Sequence, residues 1–493
     1  MNLYYINHNF RYEAEKLLRL FFPLGKIIEY TEFAETEEDY LLTRIDGEEV
    51  LTLTAELSLN GQTERKVETV NQSECDDLEL ELLLLAFDLL CKMCGFTPKW
   101  GILTGVRPSK LIVKRISQYD EDNARDWFLN TYKVSPEKTE LAIKVAKTEL
   151  KIIEKAGEKS FSLYISIPFC PTRCSYCSFV SHSINSEKAK SLIPDYIEKL
   201  LEELTFTAKM AKENGLRLTS VYWGGGTPTT LEKDELDLIL THIENVFDLS
   251  DCLEYTVEAG RPDTVTKEKL EVLKKHNVGR ISINPQTFSD SVLNAIGRKH
   301  TTAQTEEKFL LAKEVGFDAI NMDLIAGLPT DTVESFKNSV NRAIELGADN
   351  ITVHTLALKR SSTIVTENES DSVTDRDIWE MLDFAGKTLT ENGYYPYYMY
   401  RQSKSLGNLE NVGWCKKDKE CFYNVLMMEE YQSIFSVGAG AVTKLRSEDG
   451  SIIERIFNFK YPFEYISRFD EIIDKKERMR SFYSAECGMR SAE

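Results

Sequence analysis

Between Phe161 and Leu356 the chain repeats one rhythm: a short apolar run, a turn, then a charged stretch of helical length. The runs are "SLYISI", "SVYWG", "LEYTVEA", "RISIN", "AINMDLIAG" and "NITVHTL". Short apolar runs separated by helical patterns are the signature of βαβ units, so the alternation predicts a parallel sheet or barrel. Six units fall short of a closed eight-stranded barrel. The expected fold class is therefore α/β, with a partial (β/α)6 barrel spanning residues 156–358. In barrels of this kind functional groups collect at the C-terminal ends of the strands, so the residues just after each run are the first to search.

On either side the pattern differs. Residues 1–155 suggest a mixed α/β module of unknown role, with a strand at "NLYYI", an amphipathic helix at "RYEAEKLLRLFF" and a hairpin about Asp46-Gly47. The stretch Phe96 to Lys110, with its Gly, Pro, Trp100 and Arg107, is either a contact surface or a helix-to-helix connection. After residue 358 the alternation fades into a C-terminal segment, 359–493. The most apolar stretch, Leu78 to Cys91, is broken by Glu79, Glu81 and Asp88 and is too short to span a bilayer, so a buried helix is expected there. A formal charge of −20 disfavours nucleic acid and anionic membranes as partners. The N-terminus has no basic stretch followed by an apolar one, which gives no secretory signal and an expected cytoplasmic location.

Three of the ten cysteines, Cys170, Cys174 and Cys177, fall within eight positions in "IPFCPTRCSYCSF". A disulfide would use only two of them, and cytosolic thiols stay reduced. Thiolates bind zinc or iron–sulfur clusters, and three of them leave one metal position without a protein ligand. A Cys3His zinc site completed by His182 is the alternative. Cys91 and Cys94 lie in an apolar helical pattern and are expected to act as small core residues; Cys415, Cys421 and Cys487 carry no pattern of their own.

The Cys-x3-Cys-x2-Cys spacing, with an aromatic residue before the third cysteine, resembles the cluster loop of the radical S-adenosylmethionine (SAM) superfamily. That resemblance implies a radical SAM barrel carrying a [4Fe–4S] cluster on Cys170, Cys174 and Cys177. SAM would bind the fourth iron, and reductive cleavage would yield a 5′-deoxyadenosyl radical. It also implies a low-potential electron donor such as a flavodoxin or ferredoxin. "VYWGGGTPT", "TVEAGRPD", "ISINPQTF", "IGRKH" and "NMDLIAGLP" follow in the order the superfamily requires. Together they resemble the oxygen-independent coproporphyrinogen III oxidase family, whose matched positions contact two SAM molecules. By that resemblance Tyr164, Glu258 and Val442 belong to the first molecule. Tyr176, Gly225, Gly226, Thr227, Gln286, Arg298, Asp323 and Ala357 belong to its neighbours or to the second.

The long N-terminal module with "GVRP", then "MYRQ" and "NLENVGW", most resembles the HemZ-type coproporphyrinogen dehydrogenases. The implied reaction is oxidative decarboxylation of two propionates of coproporphyrinogen III to vinyls, beneath a C-terminal segment that covers the substrate. Arg261, Lys359, Arg360 and Arg401 are candidate propionate partners. The chain departs from the oxidase branch at Phe179, where that branch has a fourth cysteine, and at Ser166, where it has a histidine. It departs from the haem-chaperone branch in "GNLENVGW", which lacks that branch's histidine. His300 and His354 are then the candidate haem ligands. The competing readings are a radical enzyme that methylates or opens haem, and a haem chaperone without turnover.

Overall fold

The computed structural model describes residues 1–23, 25–177, 179, 181–357, 374–402 and 405–483. The chain forms two units, Met1–Ile143 with Arg401–Lys404, and Lys144–Tyr400 with Ser405–Glu493.

In the N-terminal unit, strands β1 (Asn2–Ile6), β2 (Ile28–Tyr30), β3 (Tyr40–Asp46), β4 (Val50–Leu59) and β5 (Gln62–Asn71) form one sheet in the order β2-β1-β3-β4-β5. The Asp46-Gly47 turn joins the antiparallel pair β3 and β4. The apolar stretch is the helix α1, Leu78–Cys94, started by Asp77 accepting from the Leu80 amide and stopped by Gly95 in the left-handed region. Its buried face packs on the sheet, and Cys91 and Cys94 pack against the same core; burial pushes the Cys91 thiol up to about 11. Phe96 to Lys110 is a helix-to-helix connection with Trp100, Ile102 and Leu103 buried.

The second unit is built on an eleven-stranded sheet. Its centre is six parallel strands, β6 (Ser160–Ile167), β9 (Arg217–Gly225), β10 (Glu254–Glu258), β11 (Arg280–Ser282), β12 (Ala319–Ala326) and β13 (Asn350–Thr355), neighbours in chain order. Two short strands, β7 (Phe169–Cys170) and β8 (His182–Ser183), pair with each other beyond β6. All six apolar runs of the sequence are strands. Ile165, Trp223, Val257, Ile281, Met322 and Ile351 are fully buried along them, and truncating such side chains to alanine costs roughly 2–5 kcal/mol each.

The fading of the alternation does not end the sheet. Strands β14 (Tyr395–Arg401) and β15 (Glu410–Cys415) extend it beyond β13, with β15 antiparallel. On the other side β16 (Ser433–Val437) runs parallel to β6, followed by β17 (Val442–Arg446) and β18 (Ile453–Phe457). The sheet stays open, with β14 and β18 at its edges.

Two buried charge clusters anchor the C-terminal strands. Glu203, fully buried, meets the Lys476 ammonium at 2.7 Å and accepts from the Gly438 amide, Asn458 and Tyr465. Glu254, the first residue of β10, pairs with Arg280, the first of β11, at 3.1 Å. It also accepts from the Phe422 and Tyr423 amides, so it caps the helix α2, Phe422–Met428. That cap sets Tyr423 against Tyr222 of β9, ring centroids 4.4 Å apart. Among the described residues no helix is long and apolar enough to cross a membrane.

Candidate active site

The cysteine loop leaves the C-terminal end of β6 and is closed by the β7–β8 pair, Phe169 opposite His182 and Cys170 opposite Ser183. Ser183 Oγ donates to the Pro171 carbonyl at 2.7 Å, and the Cys177 amide to the Cys174 carbonyl at 3.2 Å. Below the loop runs the glycine turn after β9: the Gly226 amide donates to the Ile167 carbonyl and the Thr227 amide to the Phe169 carbonyl. A Cβ on Gly226 would lie 2.5 Å from the Phe169 oxygen, so only glycine lets the two backbones come so close. Thr227 Oγ1 is 3.5 Å from Cys170 Sγ.

Burial pushes the Cys170 and Cys177 thiols up, so in the free protein neither ionises readily; a bound metal centre deprotonates such thiols outright. Among the described residues no three His, Cys, Asp or Glu side chains converge as ligands of one metal ion. A single zinc needs all its donors around one point, whereas a cubane takes each thiolate on a different iron. Three thiols distributed along one loop suit a cubane, and His182 does not converge with them around one point. The His182 ring lies edge-on to Tyr461 instead.

At the end of β10, Glu258 accepts a 2.6 Å hydrogen bond from the Tyr222 hydroxyl. Burial, with the negative charge of Asp323, pushes its carboxyl up to about 7, against the opposing effects of Tyr222 and His354. Tyr164, Tyr222 and Tyr423 stack in near-parallel planes behind it. A Cβ on Gly224 would stand 3.2 Å from both Glu258 Oε1 and the Tyr164 hydroxyl, so glycine lets the strand lie closely against this carboxylate.

Asp323, on β12, accepts from Asn284 Nδ2 and Asn321 Nδ2, each at 2.8 Å, and faces His354 Nε2 at 3.8 Å. Burial alone would raise its carboxyl, but His354, Asn321 and Thr352 outweigh it and hold the group below the usual carboxylate range. Gln286 is buried with φ of 68°, a left-handed conformation costly for a non-glycine residue, and bridges to Leu324. Arg298 is also buried; it donates to the Asn284 carbonyl at 2.7 Å and to the Tyr176 hydroxyl at 3.1 Å, tying the cysteine loop to the strand ends.

The structure thus brings together the three cysteines, Tyr164, Tyr176, Gly225, Gly226, Thr227, Glu258, Gln286, Arg298 and Asp323 around the ends of β6 and β9–β12. Ala357 lies two residues past β13, bridged to Ser405. Val442 stands apart at the start of β17, with β16 between it and β6. Sequence reasoning missed Tyr222, Asn284 and Tyr423; Asn284 sits two residues before Gln286 in an already singled-out motif.

The propionate candidates fare differently. Arg261 is buried, paired with Asp263 and bonded to Thr172 of the cysteine loop, so it is a holder of that loop. Arg401, itself part of the N-terminal unit, is buried and donates to the Leu103 and Gly105 carbonyls. Both guanidiniums are committed to protein, which corrects their assignment to substrate. Lys359 and Arg360 lie outside the described residues, as does Cys487. His300 is buried, and His354 has Asp323 on one nitrogen and Tyr400, at 3.4 Å, on the other.

Residues 164–343 match the radical SAM superfamily. The chain is 39% identical over 394 residues to the oxygen-independent coproporphyrinogen-III oxidase-like protein HemZ of Bacillus subtilis, covering 79% of this chain and 78% of that one. It is 30% identical over 307 residues to the heme chaperone HemW of Haemophilus influenzae, covering 62% of this chain and 75% of the relative. Among solved structures, the coproporphyrinogen III oxidase HemN from Escherichia coli, a radical SAM enzyme, superposes with a TM-score of 0.51 at 23% identity, over 66% of this chain and 72% of that one. That likeness concerns the fold. Membership implies a [4Fe–4S] cluster and SAM, and the thiol loop with its flanking guanidiniums is a donor set that fits them. The chain belongs to the radical SAM superfamily and, within it, to the oxygen-independent coproporphyrinogen-III oxidase-like family.

Proposed function

We propose that this chain oxidatively decarboxylates two propionate side chains of coproporphyrinogen III to vinyls, as a radical SAM oxidoreductase of haem biosynthesis. The observation that carries the reading is the similarity to an oxidase-like relative across four-fifths of the chain. Cys170, Cys174 and Cys177 hold the cluster in this reading. When bound, cluster and SAM supply one-electron reduction and hydrogen-atom abstraction. The protein's own part is to hold and orient.

Glu258 accepts from the ribose hydroxyls of the SAM bound to the cluster, with Tyr164 beside it; Val442, a full strand beyond β16, is not brought to that site. Its under-bonded carboxylate at the end of β10 has the acceptor capacity this needs. Gly225, Gly226 and Thr227 pass beneath the cysteine loop, where backbone approaches ligand closely. Tyr176, Gln286, Arg298, Asp323 and Ala357 line its neighbours or a second SAM. Asp323, held ionised by Asn284, Asn321 and His354, is a fixed negative charge for a cationic or hydroxyl-bearing ligand. An external low-potential donor such as a flavodoxin or ferredoxin supplies the electron.

The test is an anaerobic incubation of the reconstituted, reduced protein with SAM, in parallel with coproporphyrinogen III and with haem, and products read by mass. Loss of two carboxyl groups from coproporphyrinogen, together with 5′-deoxyadenosine, is the expected result. Haem altered, or haem merely retained through gel filtration with no deoxyadenosine formed, would replace the proposal with haem processing or haem carriage.

A further inference from the structure

Arg261 follows β10 by three residues and is 3% exposed. Its fork is fully engaged. Nε and Nη2 each reach the Asp263 carboxylate at 3.0 Å. Nη1 and Nη2 each donate to Thr172 Oγ1 at 3.1 Å, and Nη1 also reaches the Thr172 carbonyl at 3.3 Å. The remaining direction of Nη1 points at Cys174 Sγ, 3.7 Å away. A second buried guanidinium, that of Arg298, is also within electrostatic reach of Cys174.

His300 shows how basic this corner is. It is 3% exposed, and neither ring nitrogen has a hydrogen-bond partner among the described residues. Burial, with the charges of Arg298 and Arg261, pushes its imidazole down to about 3, so it stays neutral. Two buried cations beside one thiol are costly unless negative charge faces them. Asp263 supplies one such charge, paired with Arg261, and a metal centre held on Cys174 would supply another.

We propose that Arg261 is a positioning residue for the cluster, holding the Cys174 segment through Thr172 and donating to the Cys174 sulfur so that the cluster is easier to reduce. Hydrogen bonds to cluster sulfurs and nearby positive charge stabilise the reduced, more negative state and raise the reduction potential. The proposal rests on the reading that Cys170, Cys174 and Cys177 hold the cluster. It also explains why this arginine is unavailable to substrate.

The experiment is a potentiometric titration of the anaerobically reconstituted full chain without SAM, followed by electron paramagnetic resonance, with iron content measured on every sample. Arg261→Gln with wild-type iron is expected to be harder to reduce, its reduction equilibrium falling about tenfold, equal to ~59 mV for one electron. An unchanged midpoint overturns the proposal. If Arg261→Gln takes up no cluster, Asp263→Asn decides, because it leaves Arg261 in place without its counter-charge. Its midpoint should then rise; an unchanged or lower midpoint overturns the proposal. Cys174→Ala separates the two failures: wild-type iron content in that variant would overturn the cluster-ligand reading itself, and the Arg261 proposal with it.

Discussion

Glu254 opens β10 and Glu258 closes it, and the two carboxylates mark the two opposite ends of the parallel strands. Glu254 is paired with Arg280 and also accepts from Cys421 Sγ and the Phe422 and Tyr423 amides, so its acceptor capacity is spent on protein. Glu258 accepts one hydrogen bond among the described residues, from Tyr222, and faces the negative charge of Asp323. The two are four positions apart on a strand, hence on the same face. Stability alone would favour pairing Glu258 as Glu254 is paired. A desolvated, half-buried carboxylate left under-bonded costs free energy at neutral pH, and such groups collect where a ligand will bind. The floor of the sheet, at the N-terminal ends of its strands, is built to stay as it is, and the rim at their C-terminal ends is built to be completed.

Breaking the floor should give the largest effect. Glu254→Ala leaves Arg280 buried without its carboxylate and uncaps the helix that carries Tyr423; the expected cost is about 3–5 kcal/mol in urea denaturation. The opposite sign is expected at the rim. The Glu258 carboxyl is raised from 4.5 to about 7, so the folded protein binds a proton there that the unfolded chain releases. Its contribution to stability is complete below pH 4.5 and is lost as the pH rises through 7. Glu258→Gln should therefore stabilise the free protein at pH 8, by roughly 1–3 kcal/mol, and the gain should vanish as the pH is lowered to 4.5. Thermal unfolding at several pH values checks this, and equilibrium binding should show SAM affinity lost in the same variant. A destabilised Glu258→Gln at pH 8 would mean that Glu258, like Glu254, is a structural acceptor.

The same contrast explains what can be read from sequence. The six parallel strands are legible because each is an apolar run set between turns and helical patterns. The placing of the cysteines, Glu258, Gln286, Arg298 and Asp323 at strand ends is legible because the motifs that carry the radical SAM resemblance each follow a strand. The strands beyond residue 390 are not, since β15 buries Glu410 and Asn411 where an apolar residue would mark a strand. Tyr423 reaches Tyr222 from about 200 residues further along the chain, through a cap on Glu254 that no local pattern announces. Arg261 shows a further limit: a cation placed after a strand looks the same in sequence whether it faces a ligand or holds a loop.

The smallest expected effect isolates the Tyr222 hydroxyl. Tyr222→Phe keeps the ring stacked against Tyr423 and near Tyr164 and removes only the donor to Glu258 Oε1. The lost hydrogen bond is worth about 0.5–1.5 kcal/mol. Because that donor lowers the Glu258 pKa, its removal should move the carboxyl titration further above 7, with the sign opposite to that of a loosened, wetter site. The carboxyl band in infrared difference spectra, assigned by its disappearance in Glu258→Gln, reads this in the free protein without any cofactor. An upward shift with little change in unfolding free energy would place Tyr222 at the rim, tuning an acceptor for a ligand. A downward shift accompanied by a loss of several kcal/mol would mean that the three-tyrosine stack has collapsed and that Tyr222 belongs with Tyr423 to the floor.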